Sequence, residues 1–263
     1  MKSLRSKSTP FVMTLFLVLM GAISNPCQLA AQTAIDQQDS QQTQSDKGDK
    51  KQKPDWDSRR QQLKEKAFEL KREGDMLGAI KAFQQAIAIT PREQLPLVWA
   101  ELQTQLGLVA NWSSSQQTGE SAKKASNIAT AAYLNSMKEF TFKRDPHNWS
   151  YSQYQLGRAY WQQAILYTGN EQFQFYEKSA VAFRASILKD DREKRPMIGA
   201  QSQYDLNTML LEHANERTGA ARRKLLEEAI AVMKDTLEIY SEQGATGYWL
   251  EIQVKLGEAL YSL

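Results

Sequence analysis

From residue 56 onward, apolar and small side chains recur at i, i+4, i+7 and i+8. Ala79, Phe83, Ala86 and Ile87 form one such stripe, and Ala129, Tyr133, Ser136 and Met137 form the next. The columns continue as Ser179, Phe183, Ser186 and Ile187, then as Ala229, Met233, Thr236 and Leu237. This is the helical period, and it predicts amphipathic α-helices that bury one face. No stretch alternates apolar and polar residues cleanly, so strands have almost no support.

The stripes belong to a repeat of fifty residues. Leu106-Gly107 returns as Leu156-Gly157, Leu206-Asn207 and Leu256-Gly257. Trp99, Trp149, Gly199 and Trp249 precede these pairs at one spacing, Pro96, Pro146 and Pro196 fall between units, and Thr118-Gly119, Thr168-Gly169 and Thr218-Gly219 hold the same register. Each unit therefore reads as a helical hairpin. Glycine breaks it in the middle, and proline, lacking an amide hydrogen, starts the next. The expected units are 57–91, 96–143, 147–192 and 196–243, followed by a terminal helix over 247–263 that opens a fifth unit.

These residues resemble the tetratricopeptide repeats, whose pattern runs W-x2-L-G-x2-Y, A-x3-F, P. The first unit matches with Ala67, Leu70, Gly74-Asp75, Ala79-Ile80, Phe83, Ala86-Ile87 and Pro91; Lys66 departs, standing where the family prefers Leu. Later units resemble the longer-period variety found in bacterial arrays, with extra length expected around the central turn and at the end of the second helix. The resemblance covers residues 57–263. It implies an all-α fold, a right-handed α-solenoid of stacked hairpins, in which Gly or Ala lets helices approach and an aromatic fills the space beside it. Phe83, Tyr133, Phe183 and the repeat tryptophans are then packing residues.

The first thirty-one residues have a different character. Lys2, Arg5 and Lys7 precede an apolar run from Phe11 to Ile23 and then Leu29-Ala30-Ala31. That is the layout of a secretory signal over 1–31, with cleavage before Gln32 or after Ala22-Ile23-Ser24. The run is short of the roughly 20 residues a bilayer span needs. An uncleaved N-terminal anchor is the alternative. Cys27, the only cysteine, follows Ser24-Asn25-Pro26, which does not resemble a lipobox. The expected location is periplasmic or extracellular. Residues 32–55, rich in Gln, Asp, Lys and Ser, carry too few large apolar groups to offset ordering entropy and read as a disordered polar tether to the repeat domain of 56–263.

Charge and candidate chemistry narrow the function. Removing the three basic residues of the signal lowers Lys and Arg from 33 to 30, against 30 Asp and Glu. A neutral domain offers no general field for nucleic acid. No glycine-rich phosphate loop and no HExxH or CxxC spacing occurs, so no cofactor and no metal are expected. His147 and His213 read as solvated surface residues. The acidic pairs Asp190-Asp191 and Glu227-Glu228 point in different directions on a helix and read as solvated charge. No catalytic residue is nominated. Asn111-Trp112-Ser113 and Asn148-Trp149-Ser150 fit the glycosylation sequon.

By resemblance, such arrays bind peptides or protein segments on the inner face of their first helices. The register from the Leu-Gly pairs nominates Lys64, Phe68, Lys71 and Arg72 in the first hairpin, Tyr151, Tyr154, Arg158 and Trp161 in the third, and Tyr204 in the fourth. Phe68 stands where the carboxylate-clamp subclass needs Asn, so capture of a terminal carboxylate is not implied. The expected function is an exported, non-catalytic protein-protein interaction scaffold. The alternatives are a carbohydrate-active or other enzyme on a helical solenoid, and a piece of a longer repeat protein. The terminal helix carries Trp249, Ile252, Leu256, Leu260 and Leu263, more apolar surface than a polar cap requires, which suits self-association there.

Overall fold

The computed structural model describes residues 55–187, 196–242 and 244–263. The expected signal over 1–31 with Cys27, nearly all of the expected tether, and Asp190-Asp191 lie outside the described residues. Among those described, the chain is all-α, as its periodicity predicts. The helices are α1 (Asp55–Glu73), α2 (Met76–Ile89), α3 (Pro96–Ser115), α4 (Gly119–Ser136), α5 (Pro146–Leu166), α6 (Gly169–Ser186), α7 (Pro196–Asn215), α8 (Gly219–Glu242) and α9 (Thr246–Ser262).

Local chemistry starts and reverses them. Asp75 caps α2 by accepting from the Gly78 amide at 2.8 Å, and Asp145 caps α5 by accepting from the Asn148 amide at 3.0 Å. Such caps satisfy amides that have no partner inside the helix. Pro96 and Pro146 open α3 and α5, where a missing amide hydrogen costs nothing. After α3, α5 and α7 the chain turns at Gly119, Gly169 and Gly219, with φ of +61°, +66° and +59°. Only glycine adopts this left-handed conformation without penalty, so the reversal is completed within a few residues.

Consecutive helices pack as hairpins α1/α2, α3/α4, α5/α6 and α7/α8, and each hairpin packs on the next; α3 also meets α5, α5 meets α7, and α9 packs on α8. Small columns set the distances. A Cβ added at Gly107 would lie 2.5 Å from the Tyr133 ring, and one at Gly157 would lie 2.8 Å from Phe183. Ser179 donates to the Gly157 carbonyl at 2.8 Å across the same hairpin, and Ser136 donates to Ser152 at 3.1 Å between hairpins. One apolar cluster runs without interruption from Leu63 in α1 to Ala182 in α6.

The length beyond a thirty-four-residue repeat departs from the expectation at the central turn. The first helices α3, α5 and α7 are 20, 21 and 20 residues long, and a long connector, Met137–Asp145, follows α4. The central turn is the short part, because the positive-φ glycine turns the chain at once. Glu139 in the connector accepts from Arg92 at 2.7 Å and meets Arg144 at 3.4 Å, tying it to the preceding connector.

One further expectation is corrected. His213 is not a solvated surface residue: it is 4 % exposed and stacks on Tyr176 with ring centroids 4.7 Å apart. Burial, and then the Arg217 charge, hold its imidazole below the ordinary range. His147 is exposed. The sequon asparagines both sit in helices, Asn148 in the first turn of α5 with its amide bonded to Asp145 at 2.8 Å.

Candidate functional site

The first helix of each hairpin presents a row of side chains to the first helix of the next. In α5, Tyr154 lies one turn from Gly157 and leans on Phe183, with ring centroids 6.0 Å apart. Its hydroxyl donates to Asp205 Oδ2 of α7 at 2.8 Å. Arg158 Nε lies 3.8 Å from the same carboxylate oxygen, with about a third of its side chain exposed. Gln201 donates to the other oxygen at 3.2 Å. Two turns from Tyr154, Trp161 Nε1 donates to Glu212 Oε2 at 2.6 Å, and its ring meets the edge of Phe183.

The pattern recurs one unit further on. The Tyr204 hydroxyl donates to Glu251 of α9 through a short bond. Lys255 Nζ lies 2.9 Å from Glu251 and donates to Thr208 Oγ1 at 3.1 Å and to Tyr204 Oη at 3.3 Å. At the other end, Lys64 Nζ of α1 meets Glu101 Oε1 of α3 at 2.8 Å. First helices are thus tied to one another by hydrogen bonds between groups of nearly matching register.

Burial shapes the charges in this row. Asp205 is pushed above the usual carboxylate range by burial, against the pull of Arg158 and the hydrogen bonds from Tyr154 and Gln201. Glu212 is pushed up to about 7, again by burial, with the Trp161 hydrogen bond opposing. The Tyr204 phenol is raised by burial and by its bond to Glu251. Desolvation disfavours the charged form of an acid, and a donor to the carboxylate favours it.

The nominated residues separate accordingly. Tyr154 and Tyr204 are buried in the seam between hairpins, and Trp161 is partly buried there; Tyr151 and Arg158 lie partly exposed beside them. Phe68 packs edge-on against Phe83 at 5.3 Å, inside the first hairpin. Lys71 and Arg72 are exposed at the end of α1, away from the α5 to α9 row. Sequence reasoning missed Glu101, Asp205, Glu212, Glu251 and Lys255. A signal for two of them was present. Asp205 and Lys255 occupy the position before Leu in the repeat, where Gln105 and Gln155 are buried polar residues.

The acids Glu227 and Glu228 do not join the row: Glu227 is exposed, and Glu228 pairs with Arg184. Two open depressions of about 400 Å³ exist elsewhere, one between α5 and α6 beside Tyr160 and Lys178, the other between α8 and the end of α9 beside Arg222 and Arg223. Neither Asp205 nor Glu212 lines them. Among the described residues, no group of three or more His, Cys, Asp or Glu is placed to hold a metal, and no helix is long and apolar enough to cross a membrane. No protein-family model matches the chain, and a search of curated proteins finds no match.

Proposed function

We propose that the chain is an exported, non-catalytic scaffold, a TPR-like right-handed α-solenoid that binds a peptide or protein segment on the face of its first helices. The supporting observation is the partly exposed row around Tyr151, Arg158, Gln201 and Lys255, in which Lys255 donates to Thr208 of the neighbouring helix, Arg158 faces Asp205 of α7 at 3.8 Å, and Gln201 donates to Asp205 within α7. Side chains already fixed lose little rotamer freedom on binding, so such a surface can hold a segment at small entropic cost. Arg and Tyr are also the residues that most often anchor interfaces. Export rests on the basic, apolar and small-residue layout of residues 1–31, and the family reading rests on the repeat register. The partner class is protein or peptide, without a cofactor.

The test is capture of partners on the purified chain from an envelope fraction, beside a Tyr151→Ala/Arg158→Gln variant. Loss of a captured segment in the variant, with an unchanged circular dichroism spectrum, supports the face; retention at full strength sinks it. A second reading, general acid-base chemistry, is favoured by Glu212 near neutrality seven residues from Asp205 on α7. Each carboxylate already accepts a hydrogen bond from α5, which gives both a structural role and leaves the scaffold the better reading. Hydrolysis of an envelope glycan by the parent chain, abolished by Glu212→Gln, would reverse that preference.

A further inference from the structure

The row between first helices changes character where α3 meets α5. Hydrogen bonds along the row step 51 residues, joining Tyr154 to Asp205, Trp161 to Glu212 and Lys255 to Tyr204. The same step sets Gln155 of α5 opposite Thr104 of α3, and neither place holds an acid. The Thr104 hydroxyl donates within its own helix, to the Ala100 carbonyl at 3.1 Å. Beside it the Tyr133 ring crosses α3 at Gly107, where an added Cβ would lie 2.7 Å from Cζ, the carbon that bears the hydroxyl. The hydroxyl is thereby carried to the first-helix side, with Tyr151 and Arg158 of α5 as its ionisable neighbours. Tyr133 and Gln155 are 0 % and 1 % exposed, and neither Tyr133 Oη nor Gln155 Nε2 has a hydrogen-bond partner among the described residues. Arg158, with about a third of its side chain exposed, has only the 3.8 Å contact with Asp205, which already accepts from Tyr154 and Gln201. Lys64, Glu101, Glu212, Glu251 and Lys255 each make a hydrogen bond within the row. Three groups with unspent donor hydrogens thus stand where the next two junctions have carboxylates. Asn111 adds an unpartnered oxygen, but its amide, turned over, presents the nitrogen instead.

We infer that this junction anchors an acidic side chain, aspartate or glutamate, of the segment that the first-helix face binds. The inference rests on the proposed binding role and adds the chemistry of its anchor. The incoming carboxylate supplies the acid that Asp205 and Glu251 supply at the next two junctions. It pairs with the outward nitrogens of the Arg158 guanidinium, whose planar fork matches two oxygens. The Tyr133 and Gln155 groups lie behind it. Their unpaired hydrogens add positive potential at a buried place, where water screens little and the hydroxyl can turn to suit the charge. A neutral or basic side chain in the same position would leave these donors unserved.

Selection of a phage-displayed random peptide library on the purified full chain tests this, because fusion to the coat protein removes the free carboxyl terminus and leaves only side-chain acids. Binders are expected to share an Asp or Glu at one aligned position. In the strongest binder, made as an amidated peptide, changing that acid to its amide should weaken binding to the parent at least about tenfold. The same change should alter binding to Arg158→Gln by less than about twofold, since the partner charge is gone. Tyr133→Phe keeps the ring against Gly107 and removes only the hydroxyl. It should weaken the acidic peptide about threefold and spare the amide version, with an unchanged circular dichroism spectrum. An acid whose removal has equal effect on the parent and on Arg158→Gln overturns the inference, as do binders that need Tyr151 and Arg158 but share no acid; in both cases the face itself stands. No binders, or binders indifferent to Tyr151→Ala/Arg158→Gln, remove the face and the anchor together.

Discussion

A single methyl group tests the packing rule that generates the repeat. Gly157→Ala places a carbon 2.8 Å from the Phe183 ring, closer than packed atoms tolerate, so the hairpin must open or the ring must move. The expected cost is about 1–3 kcal/mol, the range for overpacking a filled core, read as a lower urea midpoint with an unchanged slope. Combining it with Phe183→Leu should recover part of the loss, because the two changes compensate in volume. The fourth unit already carries such an exchange: Asn207 takes the glycine column and Met233, not an aromatic, takes the column of Tyr133 and Phe183. A different residue-scale test concerns Glu212. Its carboxyl is raised to about 7 in the folded chain, so the native state holds a proton that the unfolded chain releases near pH 4.5. That contribution to stability is complete below the unfolded value and is lost as pH rises through about 7. Glu212→Gln keeps an acceptor for Trp161 and removes the titration. The variant should gain on the parent by on the order of 2–3 kcal/mol between pH 4.5 and 8, measured as the difference between the two urea midpoints at each pH. Taking the difference matters, because buried His213 is shifted downward and acts with the opposite sign in both chains. An unchanged difference would show that Glu212 is ionised in the folded chain throughout.

At the scale of the element, glycines with positive φ and glycines at close contacts do different work. Gly169 has φ +66° and open space around its Cβ position, so Gly169→Ala strains only the backbone, by about 1 kcal/mol. No partner substitution should rescue it, in contrast with Gly157, and a double variant with Phe183→Leu is the comparison to make. The hairpins were legible because these constraints recur at fixed positions: a chain that must reverse at Thr118-Gly119 and pack a ring on Gly107 repeats both fifty residues later. The helix ends were less legible, since α3 runs to Ser115 with no cap residue that marks the place. The row between first helices was legible by half. Tyr154, Trp161 and Tyr204 stand out as aromatics on one face, but a single helical register cannot say whether a face meets solvent or the next unit. Their partners Glu212 and Glu251 look like ordinary surface acids, and Asp205, though its column marks a buried polar position, carries no local mark of the tyrosine that will bond it. Tyr154→Phe checks the pairing: it strands a buried Asp205 oxygen and should cost about 1–3 kcal/mol, more than removal of the exposed Lys71 side chain by far.

Across the whole molecule, substantial packing among the described residues joins only helices that are neighbours along the chain or one hairpin apart. The apolar cluster that holds Leu63 and Ala67 of α1 reaches Ala182 of α6. Stability in such an arrangement is a sum of unit terms and nearest-neighbour interfaces, so damage at one end should fade along the array and leave the far end intact. Ile252 offers the cleanest probe, being fully buried in α9, which packs on α8 of the preceding hairpin. Ile252→Ala should remove about 2–4 kcal/mol locally, the usual cost of emptying a buried aliphatic site. Amide exchange should then accelerate in α8 and α9 while protection in α1 and α2 stays at the parental level. A uniform loss of protection from α1 to α9 would mean that the units fold as one cooperative body, and the nearest-neighbour account would fail.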